Sequence, residues 1–472
     1  MDEKLAIIYE DSDDGEFLNW KVCNGSYIRK NAHLLNYSKL KKICHKTFKK
    51  GFLLKYGMTV ATIEPCKHEI VMKDMCATCG KDFRAAHGSV TGILNEAPAA
   101  SVSMIHHVPE LIVSSQLARE IGNRDREFVL KARKLVLLVD LDQTLIHSTS
   151  CPFSGDNVSD IKCYKLQSTT FYTKIRPYTR EFLERMNILF EMHIISYGER
   201  LYAHQIASIL DPDKIYFGHR ILSRDELFCA MYKTRNMQSL FPCGDQLIAI
   251  IDDRPDVWQY SDALIQVVLI AFSLVMACSV IGNSDETDHT LEYVADILTK
   301  IHREFYYHYD KDGGKVITDL KTIIANERAK VLKNCSVVLS GIVPVGTDLT
   351  KVEAYRLCKQ FGATVTININ DKTTHIIAAR WGTIKVHEAL KRSDIYVVHP
   401  QWLYDCVERW QKIDEKDYLL TKETMNKTGK PLGGSLIKGV LPTLSTLNSM
   451  LKEVEEEVIK GHNFRYFEIK FV

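Results

Sequence analysis

Five consecutive aliphatic residues, Leu135–Val139, run without interruption into two aspartates one residue apart, Asp140 and Asp142, in the stretch KLVLLVDLDQTLIH. A strand with one wet face alternates apolar and polar side chains, whereas an unbroken apolar run suits a strand covered on both faces of a parallel sheet. Parallel neighbours need long crossovers, usually helices. This one segment therefore directs the chain toward an α/β fold and sets its acids at the carboxyl edge of the sheet, where such folds take their ligands. The same order, apolar and then polar, recurs in MHIISYG (192–198) and LIAIIDDR (247–254). Each follows a helical stretch, YTREFLERMNILF and TRNMQSLF, so strand and helix alternate and the sheet is expected to be mostly parallel.

At 472 residues the chain exceeds one ordinary core. Short β-like pieces punctuated by glycine, such as LAIIYE, FLNWKVC and TVATIEP, predict a small β-rich module over residues 1–95. The first α/β domain is expected over 96–282, with its core from about 130, followed by a helical connector over 283–332. In that connector Leu291, Val294, Leu298, Ile301 and Phe305 share one helical face. A second α/β unit over 333–420 has SVVLSGIV, ATVTINI and THIIAA as strands, then IYVVHPQWLYDCVERW as a strand and closing helix. A tail over 421–472 completes the division.

Hydrophobic residues at 46% and charged residues at 25% describe a globular chain and not a largely disordered one. The 61 Lys and Arg nearly balance the 59 Asp and Glu, so neither direct nucleic-acid nor membrane partners are expected. The opening MDEKLAIIYEDSDDGE lacks the basic-then-apolar order of a secretory leader. A reducing compartment is expected, in which the 13 cysteines are thiols or metal ligands. One run, Ala263–Ile281, has about the length of a bilayer span, with Gln266 its only strongly polar side chain. It lacks an aromatic belt and a flanking Lys/Arg cluster, so a buried strand leading into a second apolar element is expected instead. The basic KLKKICHKTFKK reads equally as a nuclear address or as an amphipathic surface segment.

The paired acids suggest phosphoryl chemistry. An aspartate nucleophile, Asp140, would split hydrolysis of a phosphate ester into two easier steps through an aspartyl-phosphate. A second acid, Asp142, would protonate the leaving oxygen and then deprotonate water. Neighbouring carboxylates repel each other and a phosphate dianion, so Mg²⁺ is expected. Its ligands would be Asp140, Asp253 and the backbone carbonyl of Asp142, with Asp252 orienting its neighbours. A hydroxyl for a phosphate oxygen and a cation for developing charge complete the set. Ser196 and Lys233 stand in the right order along the chain, with Arg235 the rival for the cation. Separately, CKHEIVMKDMCATC supplies Cys66, His68, Cys76 and Cys79, two close pairs that could form a closed structural Zn²⁺ site.

The segments DLDQTLIH, RPYTREFL, HIISYGERLYAHQIASILDP, GHRILSRDE, LFPCGD and IIDDRPDVW resemble the RNA polymerase II C-terminal-domain phosphatases of the haloacid dehalogenase superfamily. SVSMIHHVPELIVS and a closing unit resembling a BRCT domain narrow the likeness to the type associated with transcription factor IIF. The resemblance implies a haloacid-dehalogenase-like catalytic domain, a Mg²⁺-dependent phosphoserine phosphatase, and a nuclear substrate: the phosphorylated heptad tail of the polymerase's largest subunit. It assigns the nucleophile to Asp140, acid and base to Asp142, the phosphate-contacting hydroxyl to Ser196, the cation to Lys233 and the acidic pair to Asp252 and Asp253. Thr144 would support the catalytic loop, and Arg176 and Arg200 match positions near the site. Two departures stand out: the family usually has threonine at Ser196, and the stretch after Leu264 does not look like the family's final strand.

The BRCT resemblance rests on Gly341, Gly362 in FGATV, THIIAA, and Trp402 with Cys406 in the last helix. Trp402 is expected in the core, where a large ring seals the fold. Ser340, Thr383 and Lys385 match positions that hold phosphate in phosphopeptide-binding relatives. In the tail, Leu444, Leu447, Leu451, Val454 and Val458 recur at helical spacing among glutamates. This resembles the family's segment that docks on the large subunit of transcription factor IIF, although packing on the chain's own BRCT-like unit is equally compatible. Two competing functions are a small-molecule phosphatase of the same superfamily and a phosphopeptide-binding scaffold without turnover.

Overall fold

The computed structural model describes residues 5–8, 15–20, 35–37, 41–42, 53–54, 59–63, 67–78, 80, 82–83, 100–104, 110–150, 161–227, 231–267, 288–342 and 348–420. They fall into two compact units: Met1–Leu141, Leu183–Gln266 and Thr299–Ile324 form the first, and Asp142–Phe182, Val267–Leu298 and Ala325–Val472 the second.

The first unit is built on a five-stranded sheet in the order Ile221–Leu222, Phe190–Ile195, Leu135–Val139, Ile248–Asp252, Leu264–Gln266. Every pairing is parallel. The apolar run is the central strand, buried at all five positions, as its lack of alternation requires. The helices Ser115–Lys131 and Arg200–Leu210 flank strands in sequence. The first begins at Ser114, whose hydroxyl accepts from the Leu117 amide and satisfies a donor that the helix cannot. A four-stranded antiparallel sheet joins Met75–Cys76, Ile70–Met72, Leu111–Ser114 and Ala100–Ser103, so β-structure continues past the boundary expected at residue 95. Of the apolar run after Ala263, Leu264–Gln266 forms the edge strand beside Ile250–Asp252, and residues 268–281 lie outside the described residues. Among the described residues, no helix is long and apolar enough to cross a membrane.

The second unit contains a three-stranded antiparallel sheet, Ile146–Thr149, Thr169–Ile175 and Ile161–Leu166, which follows directly on the DLDQT segment. It also holds a four-stranded parallel sheet in the order Thr364–Thr366, Ser336–Ser340, His375–Ala378, Tyr396–Val398. The closing helix Pro400–Arg409 buries Trp402 and Cys406 completely, and the Trp402 ring stacks on His375 with centroids 4.7 Å apart. Gly362 is required by close packing: a Cβ there would lie 2.0 Å from the Ala329 carbonyl oxygen, and its φ is +92°. In the connector, Leu291, Val294, Leu298, Ile301 and Phe305 are all buried, as their spacing predicts.

Candidate active site

Register sets the site. Val139 lies opposite Ile194 on one side and Ile251 on the other, so Asp140, Ser196 and Asp252 leave neighbouring strands at the same carboxyl edge. Asp140 Oδ1 and Asp252 Oδ2 both accept from Lys233 Nζ at 2.6 Å. Lys233 starts a 3₁₀ turn, Lys233–Asn236, and its amide donates to the Val257 carbonyl, which fixes the stem. Its side chain is 2% exposed. Arg235, the rival cation, is exposed and lies over the Tyr232 ring, so the geometry brings only Lys233 onto these carboxylates.

Asp252 and Asp253 have different surroundings. Asp252 accepts from Lys233, from Trp258 Nε1 at 2.7 Å and, on its other oxygen, from the Arg254 amide at 2.8 Å. Those three donors lock it in place. Asp253 is partly buried, and carboxylate oxygens of Asp140, Asp252 and Asp253 all lie within 4.8 Å of one another. Burial drives Asp140 well above the ordinary carboxylate range; Lys233 opposes this, while Asp252 and Asp253 push further. Burial and then Asp252 push Asp253 up to about 7. Burial disfavours the Lys233 charge, but Asp140 and Asp252 outweigh it and raise its pKa. Three acids around one ammonium leave negative charge in excess, and these hard oxygen donors fit a divalent cation such as Mg²⁺.

Ser196 is 1% exposed, and its hydroxyl accepts from the Gly198 amide at 3.0 Å. Asp142 belongs to the second unit and is partly exposed. The turn after it is tight, with Gln143 at φ +65° and its amide donating to the Ile146 carbonyl. Thr144 is fully buried, and its hydroxyl makes no hydrogen bond among the described residues. Arg176 is buried and donates to the carbonyls of Gln143 and Thr144. Arg200 is exposed and paired with Glu226. Cys66 and Cys79 lie outside the described residues; His68 and Cys76 are buried. In the BRCT-like unit, Ser340 and Thr383 share a hydroxyl hydrogen bond of 2.8 Å, and Lys385 Nζ reaches the Leu339 carbonyl at 3.4 Å. The tail from 421 lies outside the described residues. Trp258 escaped the sequence reading, although an aromatic six residues after Asp252 was visible within IIDDRPDVW.

Residues 135–310 match the NLI interacting factor-like phosphatase family, and residues 327–407 match the BRCT domain. The chain is 45% identical over 466 residues to an RNA polymerase II C-terminal domain phosphatase of Caenorhabditis elegans, covering 93% of this chain and 70% of that one. The chain belongs to the family of RNA polymerase II C-terminal-domain phosphatases. The human enzyme of the same name is 43% identical over 219 residues, 46% of this chain and 23% of that protein. Among solved structures, the fission yeast RNA polymerase II CTD phosphatase Fcp1, an arginine-to-alanine variant bound to beryllium fluoride, superposes with a TM-score of 0.56. It is 28% identical and covers 64% of this chain and all of that one. As a member of this family, the chain is a protein phosphatase with a haloacid-dehalogenase-like catalytic fold and a BRCT domain.

Proposed function

We propose that the chain hydrolyses phosphoserine in the heptad tail of the RNA polymerase II largest subunit, with Asp140 as nucleophile. A carboxylate oxygen of Asp140 forms the bond to phosphorus as the P–O bond to serine breaks, and Asp142 gives its proton to the departing serine oxygen. Water then attacks phosphorus, Asp142 takes the water's proton, and the bond to Asp140 breaks. Lys233, held between Asp140 and Asp252, supplies fixed positive charge at the nucleophile. Ser196 offers its hydroxyl to a phosphate oxygen. Asp140, Asp253 and the Asp142 carbonyl would hold Mg²⁺, which neutralises phosphate charge when bound. Asp252, saturated by three donors, orients its neighbours.

The observation that carries this reading is one buried ammonium bridging two strand-end carboxylates, with a third carboxylate beside them. Such an arrangement would serve no purpose in a domain that only binds peptides. The named activity of the similar proteins supports the substrate and implies a nuclear site of action. The large subunit of transcription factor IIF is the proposed partner of the acidic tail, Ser340, Thr383 and Lys385 are proposed phosphopeptide contacts, and Cys66, His68, Cys76 and Cys79 are proposed zinc ligands. Asp140→Asn should abolish release of phosphate from a phosphorylated heptad peptide with Mg²⁺ present, while the circular dichroism spectrum is retained. Turnover by that variant at the wild-type rate would refute the assignment.

A further inference from the structure

The phosphoryl chemistry makes no use of the ion pair between Arg176 and Asp288, yet that pair is attached to the catalytic loop. Arg176 Nε donates to Asp288 Oδ2 at 2.9 Å, and its side chain is 2% exposed. Its Nη1 donates to the carbonyls of Gln143 at 3.1 Å and Thr144 at 3.0 Å, in the turn immediately after Asp142. Gln143 sits at φ +65°, a conformation that costs a non-glycine residue on the order of 1 kcal/mol, so that turn needs support from outside itself. The other oxygen of Asp288 accepts from the Thr290 amide at 3.1 Å. The Thr290 hydroxyl in turn donates to Glu408 Oε1 at 2.7 Å, on the closing helix of the BRCT domain. Beside this line, Tyr178 stacks on His289 with centroids 5.4 Å apart, and the Arg409 guanidinium lies over the Tyr293 ring at 5.1 Å. An exposed ion pair can be lost cheaply, whereas removing a carboxylate from a buried guanidinium leaves that charge less well compensated and less firmly held.

We infer that Asp288 is a positioning residue: through Arg176 it fixes the Gln143–Thr144 turn behind Asp142, and through Thr290 it makes Glu408 of the BRCT domain part of the same support. The BRCT domain thereby contributes to turnover itself, apart from anything it binds. The inference rests on Asp142 acting as the acid and base.

A misplaced acid hurts a poor leaving group more than a good one. Serine needs the proton, whereas p-nitrophenolate departs without it. The full chain with Mg²⁺ is therefore assayed on a phosphoserine heptad peptide and on p-nitrophenyl phosphate, as wild type, Asp142→Asn, Asp288→Asn and Thr290→Val. Asp288→Asn keeps the size of the side chain and is the variant most apt to fold. It should lower kcat/KM on the phosphoserine peptide, which reports the steps up to departure of serine, about tenfold or more, with a much smaller loss of kcat/KM on p-nitrophenyl phosphate. Thr290→Val should shift the ratio of the two rates in the same direction, by less. Equal losses on both substrates would mean a merely structural role, and no loss would mean none; either overturns the inference. Asp142→Asn is the reference for the split between substrates, and if it shows none, the acid–base reading of Asp142 fails first and takes the inference with it.

Discussion

Leu135–Val139 and Ser336–Ser340 are both five-residue strands, both interior to parallel sheets, and both buried along their whole length. One runs into Asp140 and the other ends on Ser340 before Gly341. At the first edge, three carboxylates crowd around one buried ammonium. At the second, a pair of hydroxyls share a hydrogen bond and a lysine reaches a backbone carbonyl. The strand interiors obey the same packing rule and reveal only the fold; the residue that follows the strand decides whether the edge can do chemistry. The charged edge also stores repulsion, which a domain kept only for packing would have no reason to hold.

The sharpest way to break that contrast is to remove the Lys233 ammonium. Lys233→Met leaves Asp140 and Asp252 buried without their partner and should cost about 3–5 kcal/mol of stability, read by urea denaturation with chelator present. Phosphatase activity should fall with it. Wild-type stability in that variant would show that the ammonium is not what balances the edge.

A substitution at Asp253 should act with the opposite sign. In the folded chain, burial and the Asp252 charge push this carboxyl up to about 7, against an unfolded value of 3.8. The folded state thus favours the protonated form, and its stability declines as pH rises from 3.8 through about 7. Asp253→Asn removes that loss. Without metal at pH 8 it should stabilise the chain by about 2 kcal/mol while lowering turnover, a trade of stability against activity. The gain should fade as the pH is lowered to 5, where the wild-type carboxyl already carries its proton. A pH-independent gain would assign the effect to something other than charge.

The central strand, its acids and the two flanking strands were legible because an unbroken aliphatic run has few alternatives, and because Asp140, Ser196 and Asp252 each follow one directly. Lys233 was legible only by its order in the chain; what separates it from Arg235, two residues on, is the hydrogen bond its amide donates to the Val257 carbonyl, which holds its stem at the site. Trp258 and Asp288 were not assigned, since their roles come from partners distant in sequence or fixed by loop geometry. The antiparallel sheet after Asp142 was also missed, because strands such as Thr169–Ile175, with threonine and lysine among the aromatics, carry no clean alternation.

The smallest expected effect tests the hydroxyl edge. Ser340 is 4% exposed, and Thr383, its hydroxyl partner, also accepts from the Val386 amide as the cap of the helix Ile384–Ala389. These hydroxyls are therefore engaged within the fold, and a phosphate would have to exchange the bond between them for its own. Ser340→Ala should cost about 1 kcal/mol, the net worth of one buried hydrogen bond, seen as a small drop in the unfolding midpoint. Binding of a phosphorylated heptad peptide is then measured in the Asp140→Asn background, which on the proposed mechanism does not hydrolyse it. If Ser340→Ala weakens that binding severalfold beyond the Asp140→Asn parent, the second edge is an anion site, and the two sheets differ in which step of phosphate recognition they serve. If binding is unaltered, the Ser340–Thr383 pair is a packing device, and the chemistry of this chain belongs to the charged edge alone.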